Sequence, residues 1–327
     1  MSLTDLITQL RQHSGLHQKA DIQLVQRNLR NGFPPPQANG DDAAVIPNGD
    51  GFDLLAGEGF IDAFVAADPW FAGWCGLMVN ISDIAAMGGR PVAVVNALWG
   101  ATDVVTEKIV QGMSAASQAY QVPIVGGHTN LRSDKPHLAV SILGRARRVL
   151  SSFAARPGQA LVAAIDLRGG YQSPFLNWNA ATHAPPERLR GDLQLLPHIA
   201  EHLLAYAAKD ISQAGILGTS VMLLESAQVG ADIDLEAIPK PSEISWLDWL
   251  RTFPSFGFLL TADAAQLPAL LDSFTRRDIC AAVIGCLNDS RRCNVWQQGN
   301  STCFWDLNTH PLTGLGSDND HEESVYA

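Results

Sequence analysis

The sequence predicts two mixed α+β domains, and three observations predict them. The chain has 327 residues, more than one ordinary domain of about 100 to 200 residues. Its 46% hydrophobic and 17% charged residues are the composition of a globular protein with a substantial core. Short apolar strand-like runs alternate with segments of helical period along its length. Ala155-Arg156-Pro157-Gly158-Gln159 reads as the junction, which puts one domain at 1–150, a second at 151–310 and an acidic tail at 311–327.

The first 30 residues suggest one or two short helices, in LTDLITQLRQH and KADIQLVQRNLR, followed by the irregular GFPPPQANG. Phe52 to Ala56 reads as a strand that leads to Gly57-Glu58-Gly59. Asp68-Pro69 has the form of an N-cap followed by proline at the first helical position, and Gly88-Gly89-Arg90-Pro91 marks the other end. A long helix is therefore expected from Pro69 to Met87. Its apolar residues, from Trp70 and Phe71 to Ile81 and Ile84, spread round most of the circumference, as on a buried helix. Pro91 to Trp99 is a strand, Thr102-Asp103 opens a second amphipathic helix, and Leu138 to Gly144 is another strand.

Beyond the junction come a strand from Ala160 to Asp166, a Pro/Asn-rich stretch from Ser173 to Pro186, and a helix from Asp192 to Ala207. KDISQAGILGTSVMLLESAQVGADIDLEAIP then gives a polar loop, a helix and a strand. Strand Phe256 to Ala262, helix Ala264 to Arg276 and strand Ile279 to Leu287 close the second domain.

The formal charge of −11 excludes the basic face of a nucleic-acid binder: residues 1–150 carry 11 Lys+Arg against 13 Asp+Glu, and residues 151–327 carry 11 against 20. No apolar run approaches the roughly 20 residues that span a bilayer, so no membrane partner is expected. Met1-Ser2-Leu3-Thr4-Asp5 has no basic-then-apolar pattern, and the cytoplasm is the expected location. The five cysteines form no CxxC pair; they read as reduced thiols, with Cys280 and Cys286 in the core.

Acidic residues recur at structurally marked positions. Asp41 and Asp42 in NGDDAAVIPN precede a strand, Glu58 follows one, Asp83 lies on the buried helix, and Asp210 sits in a loop before a helix. Asn80 and Asp83 are three apart and share a helix face. Asn, Gly and Asp are also ordinary turn residues, and Asp83 is open to pairing with an arginine. Mg²⁺ takes hard oxygen ligands, usually a few carboxylates with phosphate oxygens and water, and scattered carboxylates converging on one cleft suit it. Gly126-Gly127-His128-Thr129 reads as a turn at a strand end, offering backbone N–H groups and a hydroxyl to phosphate.

Together these segments form a resemblance. GDDAAVI at Gly40 to Ile46, NISDIAAMGGRP at Asn80 to Pro91, Gly126-Gly127-His128-Thr129, Ala155-Arg156-Pro157-Gly158 and Asp210-Ile211-Ser212 occur in the order seen in the aminoimidazole ribonucleotide (AIR) synthetase-like superfamily. That group includes thiamine-monophosphate kinase, selenophosphate synthetase and a hydrogenase maturation factor, and the similarity covers about residues 38 to 290. The resemblance implies an ATP- and Mg²⁺-dependent enzyme of two α+β domains acting on a small molecule. It also implies a homodimer whose N-terminal domains share a β-barrel, with a C-terminal α/β sandwich. Position by position, Asp41, Asp42, Glu58, Asp83 and Asp210 match metal-binding acids. Asn80, Gly126, Gly127, His128, Thr129 and Ser212 match nucleotide-contacting positions, and Lys19 and Asp210 match catalytic ones, Lys19 lying on a segment that folds over bound phosphates.

The departures bear on the activity. Gln213 stands where the kinase has the second Asp of DxSD, and His128 where it has the Asp of GGDT. The GGH turn is similar to selenophosphate synthetase, but no cysteine precedes Cys75, so the N-terminal Cys or selenocysteine of those enzymes is missing. The implied chemistry is phosphoryl transfer from ATP to a small acceptor, as in thiamine-monophosphate kinase. ATP-dependent cyclisation or dehydration of the AIR-synthetase type, and nucleotide or metabolite binding with reduced catalysis, are the alternatives.

Overall fold

Three short helices open the computed structural model, which describes residues 1–29, 39–100 and 102–316. The acidic stretch from Ser317 onward and most of the proline-rich approach lie outside the described residues. Helix α1 (Leu3–Arg11), α2 (Ser14–Ala20) and α3 (Ile22–Leu29) stand where one or two helices were expected. The Ser2 side chain caps α1 by accepting from the Asp5 N–H at 3.2 Å.

Two strands, β1 (Ala44–Asn48) and β2 (Gly51–Phe60), lead through α4 (Asp62–Ala67) into the long α5 (Pro69–Ala86). Strand β3 (Arg90–Trp99), α6 (Asp103–Tyr120), β4 (Ile124–Asn130) and β5 (His137–Ala146) complete this part. The caps are those the sequence predicts: Asp68 accepts from the Phe71 N–H at 3.1 Å, and Thr102 from the Val105 N–H at 3.3 Å. Every residue of α5 from Phe71 to Ala86 is buried. Gly73 lets α6 approach so closely that a Cβ there would overlap the Ile109 carbonyl oxygen, and Gly112 stands in the same relation to Trp70.

Strand β6 (Ala160–Ile165) is followed by the short β7 (Gly170–Gln172) and β8 (Asn177–Asn179), and then by α7 (Pro186–Leu193) and α8 (Leu195–Glu201). The remaining elements are β9 (Ala207–Asp210), α9 (Gly215–Ala227), β10 (Gly230–Asp234), α10 (Trp246–Trp249), β11 (Phe253–Pro254), β12 (Gly257–Ala262), α11 (Leu267–Thr275), β13 (Cys280–Asn288), β14 (Arg292–Gln297) and β15 (Asn300–Asp306). The helix expected from Asp192 to Ala207 is thus two shorter helices and the start of a strand. Strands β14 and β15 were not expected.

The chain divides into two compact units. One comprises Asp42–Val149 and Ala181–Glu201; the other comprises Met1–Asp41, Leu150–Ala180 and His202–Ala327, within which 30–38 and 317–327 lie outside the described residues. This differs from one cut at 150. Helix α1 buries Leu3, Leu6, Ile7 and Leu10 in the core of the second unit, and Arg11 Nε donates to the Phe304 carbonyl on β15 at 2.9 Å. Helices α7 and α8 belong to the first unit, where an Arg190 guanidinium nitrogen donates to the Ala119 carbonyl at 2.7 Å and Arg90 forks onto Glu201 at 2.5 and 3.2 Å.

In the Asp42–Val149 unit the sheet order is β1-β2-β5-β3-β4. Gly76 of α5 packs against Leu138 and Val140 of β5, so α5 covers one face. The opposite face is open: Leu55 is 48% and Val95 44% exposed there. In the other unit seven strands run in the order β15-β14-β10-β13-β6-β12-β9, with β9 at the edge, and a small sheet has the order β11-β8-β7. Strands β6, β9 and β12 supply residues buried on both faces, which explains their uninterrupted apolar runs.

Candidate active site

The sheet register sorts the expected site residues of the Asp42–Val149 unit onto two faces. Glu58 pairs with Val140, Val140 with Asn96, and Asn96 with Gly127. Phe60, Leu138, Leu98 and Thr129 form the next row on the same side. Because Leu138 and Val140 meet α5, Glu58 and Thr129 lie on the covered face. His128 aligns with Ala97, one residue out of phase, and lies on the open face with its ring 6.3 Å from that of Trp99. The structure therefore separates His128 from Thr129.

Two expectations are corrected here. Gly126-Gly127-His128-Thr129 is not a turn but the middle of β4, an edge strand that pairs in parallel with β3. The glycines serve close approach: a Cβ on Gly127 would overlap the Asn96 side chain. Glu58 does not follow a strand but lies inside β2, which continues through Gly57 and Gly59 to Phe60. A third correction concerns Asp210, which ends strand β9 rather than sitting in a loop.

On α5, Asn80 is fully buried. Its Nδ2 donates to the Gly76 carbonyl at 2.8 Å, while its Oδ1 has no hydrogen-bond partner among the described residues. One turn on, Asp83 is 5% exposed. An amide oxygen without a partner in so apolar a place forfeits about 1 to 3 kcal/mol unless something approaches it.

The other unit carries Asp41, Lys19, Asp210 and Ser212. Asp41 accepts from the Ser151 hydroxyl at 2.6 Å and from the Ser152 N–H at 2.7 Å, one bond on each carboxylate oxygen. Burial pushes its pKa up, while the charge of Lys209 and the Ser151 hydrogen bond act against that shift. Lys209 is 4% exposed and donates to the Gly40 carbonyl at 3.1 Å. Gly40 has φ +149°, and a Cβ there would come within 2.9 Å of Ser226 Oγ.

Asp210 is 6% exposed and pairs across the sheet with Phe258. The Ser212 N–H donates to Thr219 Oγ1 at 3.2 Å, and its own buried hydroxyl has no partner among the described residues. Gln213 is exposed. Lys19 is half-buried on α2, the helix that packs on α9. Asp42, Glu58, Asp83 and Asp210 each hold interactions within the protein, and no three His, Cys, Asp or Glu side chains cluster as a ready-made metal cage among the described residues.

Two features escape sequence reasoning. Lys209 lies in the buried strand AAKD, and a lysine beside two alanines in a strand is the signal the sequence carries. Glu225 on α9 is 3% exposed and accepts from the N–H groups of Leu312, Thr313 and Gly314 at 2.9, 2.7 and 3.0 Å and from the Thr313 hydroxyl at 2.6 Å. Cys280 and Cys286, expected in the core, are exposed on β13, whereas Cys75 and Cys293 are buried. The irregularity between Val283 and Gly285 puts Cys280, opposite Ile165, and Cys286, opposite Ala160, on opposite faces of the sheet, while Ile284 and Leu287 are buried.

The chain matches the model of the AIR synthase related protein N-terminal domain over residues 40–146 and that of the C-terminal domain over residues 157–297. It is 42% identical over 321 residues to an uncharacterized protein of Synechocystis sp., covering 97% of this chain and 99% of that protein. With the thiamine-monophosphate kinase of Caulobacter vibrioides it shares 28% identity over 244 residues, covering 69% of this chain and 68% of the kinase. The fold is similar to that of T. maritima PurL complexed with ATP, with a TM-score of 0.72 at 17% identity, covering 97% of this chain and 56% of that one. No helix among the described residues is long and apolar enough to cross a membrane. With both domain models matched in order over most of its length, the chain belongs to the AIR synthase related protein family.

Proposed function

We propose that the protein is an ATP- and Mg²⁺-dependent enzyme that transfers the γ-phosphoryl group to a small-molecule acceptor, as its relative named thiamine-monophosphate kinase does by name. The observation that carries this reading is Asn80: a fully buried amide whose Oδ1 has no partner among the described residues, one turn from the buried Asp83. Each unit carries hard oxygens: the carboxylates of Asp42, Glu58 and Asp83 and the Asn80 Oδ1 in one, the Asp210 carboxylate and the Ser212 hydroxyl in the other. This donor set fits Mg²⁺, which is usually held by one or two carboxylates and completed by phosphate oxygens and water rather than by an all-protein cage.

When bound, Mg²⁺ would supply charge neutralisation at the phosphate oxygens. The chain's own contribution is positioning and electrostatics. In one unit Ser212 has a buried hydroxyl without a partner among the described residues, and in the other Thr129 lies on the covered face of its sheet; each is a hydroxyl suited to a phosphate. Lys19, from α2, supplies a positive charge for the transferring group. No protein nucleophile is required.

The open face of the β1-β2-β5-β3-β4 sheet, with Leu55 and Val95 about half exposed, supports a homodimer formed by pairing this face with a second copy. Cytoplasmic location goes with this reading, since nucleotide and free Mg²⁺ are supplied there. A second reading has one observation in its favour: the two positions that lack the kinase's acids, His128 and Gln213, are both exposed, which fits a nucleotide binder of reduced catalytic power.

Calorimetric titration with ATP in the presence and absence of Mg²⁺, followed by an ADP-release assay over a panel of acceptors beginning with thiamine monophosphate, tests both. Mg²⁺-dependent binding with turnover supports the enzyme, and binding without turnover on any acceptor supports the binder. Absence of ATP binding excludes both.

A further inference from the structure

Three arginines gather where β2 begins and β5 ends, and phosphoryl transfer uses none of them. Arg90, Arg145 and Arg147 line a cavity of about 540 Å³ that lies wholly within the Asp42–Val149 unit and its helices α7 and α8. That volume suits a small organic ligand. This unit carries nine Lys and Arg against 13 Asp and Glu. Three of its nine cations therefore meet in one place on an acidic body.

Folding alone does not favour this arrangement. In the sheet register Arg145 of β5 lies directly opposite Arg90 of β3, and like charges so placed destabilise a strand pair. Two carboxylates brace them. Asp53, opposite Arg145 on the other side, accepts from Arg145 Nε at 3.1 Å, and Asn48 Nδ2 donates to its second oxygen at 2.8 Å. Glu201 accepts both arms of the Arg90 fork. The acids are the more buried partners: the Asp53 and Glu201 side chains are 25% and 22% exposed, against 65% and 42% for Arg145 and Arg90. A guanidinium has five N–H donors, and the Nε bond to Asp53 uses one of those on Arg145.

Arg147 adds a third positive charge just past the end of β5, where it is exposed. Gly51 faces this end of the strand: a Cβ there would come within 2.7 Å of the Ala146 carbonyl oxygen. The missing side chain lets the segment that carries Arg147 close on β2. With Asp53 and Glu201 as the acids of the lining, the three arginines leave a formal charge of +1. Phe52, Pro91 and Val92 add apolar surface beside them.

We propose that this cavity binds an organic oxyanion, a phosphate ester or carboxylate with an apolar body, and that Arg145 and Arg147 hold its charged group. Arginine suits that task because its planar donors match the oxygens of phosphate and carboxylate. The apolar lining takes the rest of the molecule. Asp53 precedes Glu58 by five residues on β2, about 17 Å along an extended strand. The cavity is thus separate from the acidic-motif positions of its unit, and its role does not depend on the Mg²⁺–ATP reading.

Two measurements test it. The first is calorimetric titration of the full chain with phenyl phosphate and with benzoate, in EDTA so that no Mg²⁺-dependent site takes part. Saturable binding of at least one probe is expected, and the stronger of the two tells phosphate from carboxylate. Arg145→Met and Arg147→Met are each expected to weaken it at least about tenfold, as loss of a hydrogen bond to a charged group does. Lys108→Met, which removes an exposed cation on α6, leaves it unchanged. The second needs no variant. Wild-type protein is treated with phenylglyoxal, which modifies arginine, with and without the bound probe, and peptide mass spectrometry is expected to find Arg145 and Arg147 protected. Binding of neither probe, binding that survives both arginine substitutions, an equal loss in Lys108→Met, or modification of Arg145 and Arg147 undiminished by the probe would overturn the site. Failure of the protein to bind ATP would leave each of these outcomes as decisive as before.

Discussion

Gly15 of α2 lies directly against the carbonyl of Gln213, so close that a Cβ on Gly15 would overlap the oxygen. This contact seats the helix that carries Lys19 on the loop that carries Ser212. Substitution of Gly15 by Ala must displace one of the two segments, because the clashing atom is backbone. We expect Gly15→Ala to cost about 1 to 3 kcal/mol in unfolding free energy, the usual range for overpacking. ATP affinity is expected to fall with it. Unfolding and ATP titration of the purified variant check this, and wild-type values in both would show that α2 is not seated by this contact.

Glu225 is expected to be among the most sensitive positions outside the site. Three backbone N–H groups and one hydroxyl from 312–314 converge on its buried carboxylate. Glu225→Ala leaves these donors without an acceptor, at about 1 to 3 kcal/mol for each one that stays buried. A loss of about 3 kcal/mol or more is expected, with early proteolytic release of the chain's end. Urea unfolding and limited proteolysis read the two effects separately.

The cysteines give a chemical test of the fold. Burial pushes the Cys75 and Cys293 thiols up, with Asp68 adding to the effect at Cys75 and Cys303 at Cys293, so both hold little thiolate and are screened from solvent. Cys280 and Cys286 are exposed. Brief treatment of the native protein with iodoacetamide at pH 8 is expected to label Cys280 and Cys286 and to spare Cys75 and Cys293. Peptide mass spectrometry checks this; denaturation before labelling should expose all five.

Much of the architecture was legible because local signals agreed with the fold. The Asp68-Pro69 and Thr102-Asp103 caps placed α5 and α6, and unbroken apolar runs placed β6, β12 and β13. Where one signal had two meanings the reading failed. Gly126-Gly127 carries turn chemistry, but it also permits the close approach of β4 to Asn96, and the second meaning holds in the structure. Gly57 and Gly59 concealed the continuation of β2 in the same way. Strands β14 and β15 break their apolar residues with Arg, Asn, Gln, Ser and Thr and lack a strong apolar run. Non-local relations were out of reach: nothing near Leu3 or Leu6 indicates that α1 packs on β15, and nothing near Lys209 indicates a partner 169 residues earlier. The acidic motifs were readable as a set, but the register was needed to show that His128 and Thr129 occupy opposite faces.

The acidic motifs are proposed to hold ATP through Mg²⁺. The most direct measurement is calorimetric titration of ATP into the purified protein with Mg²⁺, repeated with EDTA and repeated on Asp83→Asn. Saturable binding in Mg²⁺ that is abolished by EDTA and weakened at least about tenfold in Asp83→Asn, roughly 1.4 kcal/mol, is the predicted result. Absence of ATP binding in Mg²⁺, or binding unaffected by both EDTA and the substitution, would contradict it.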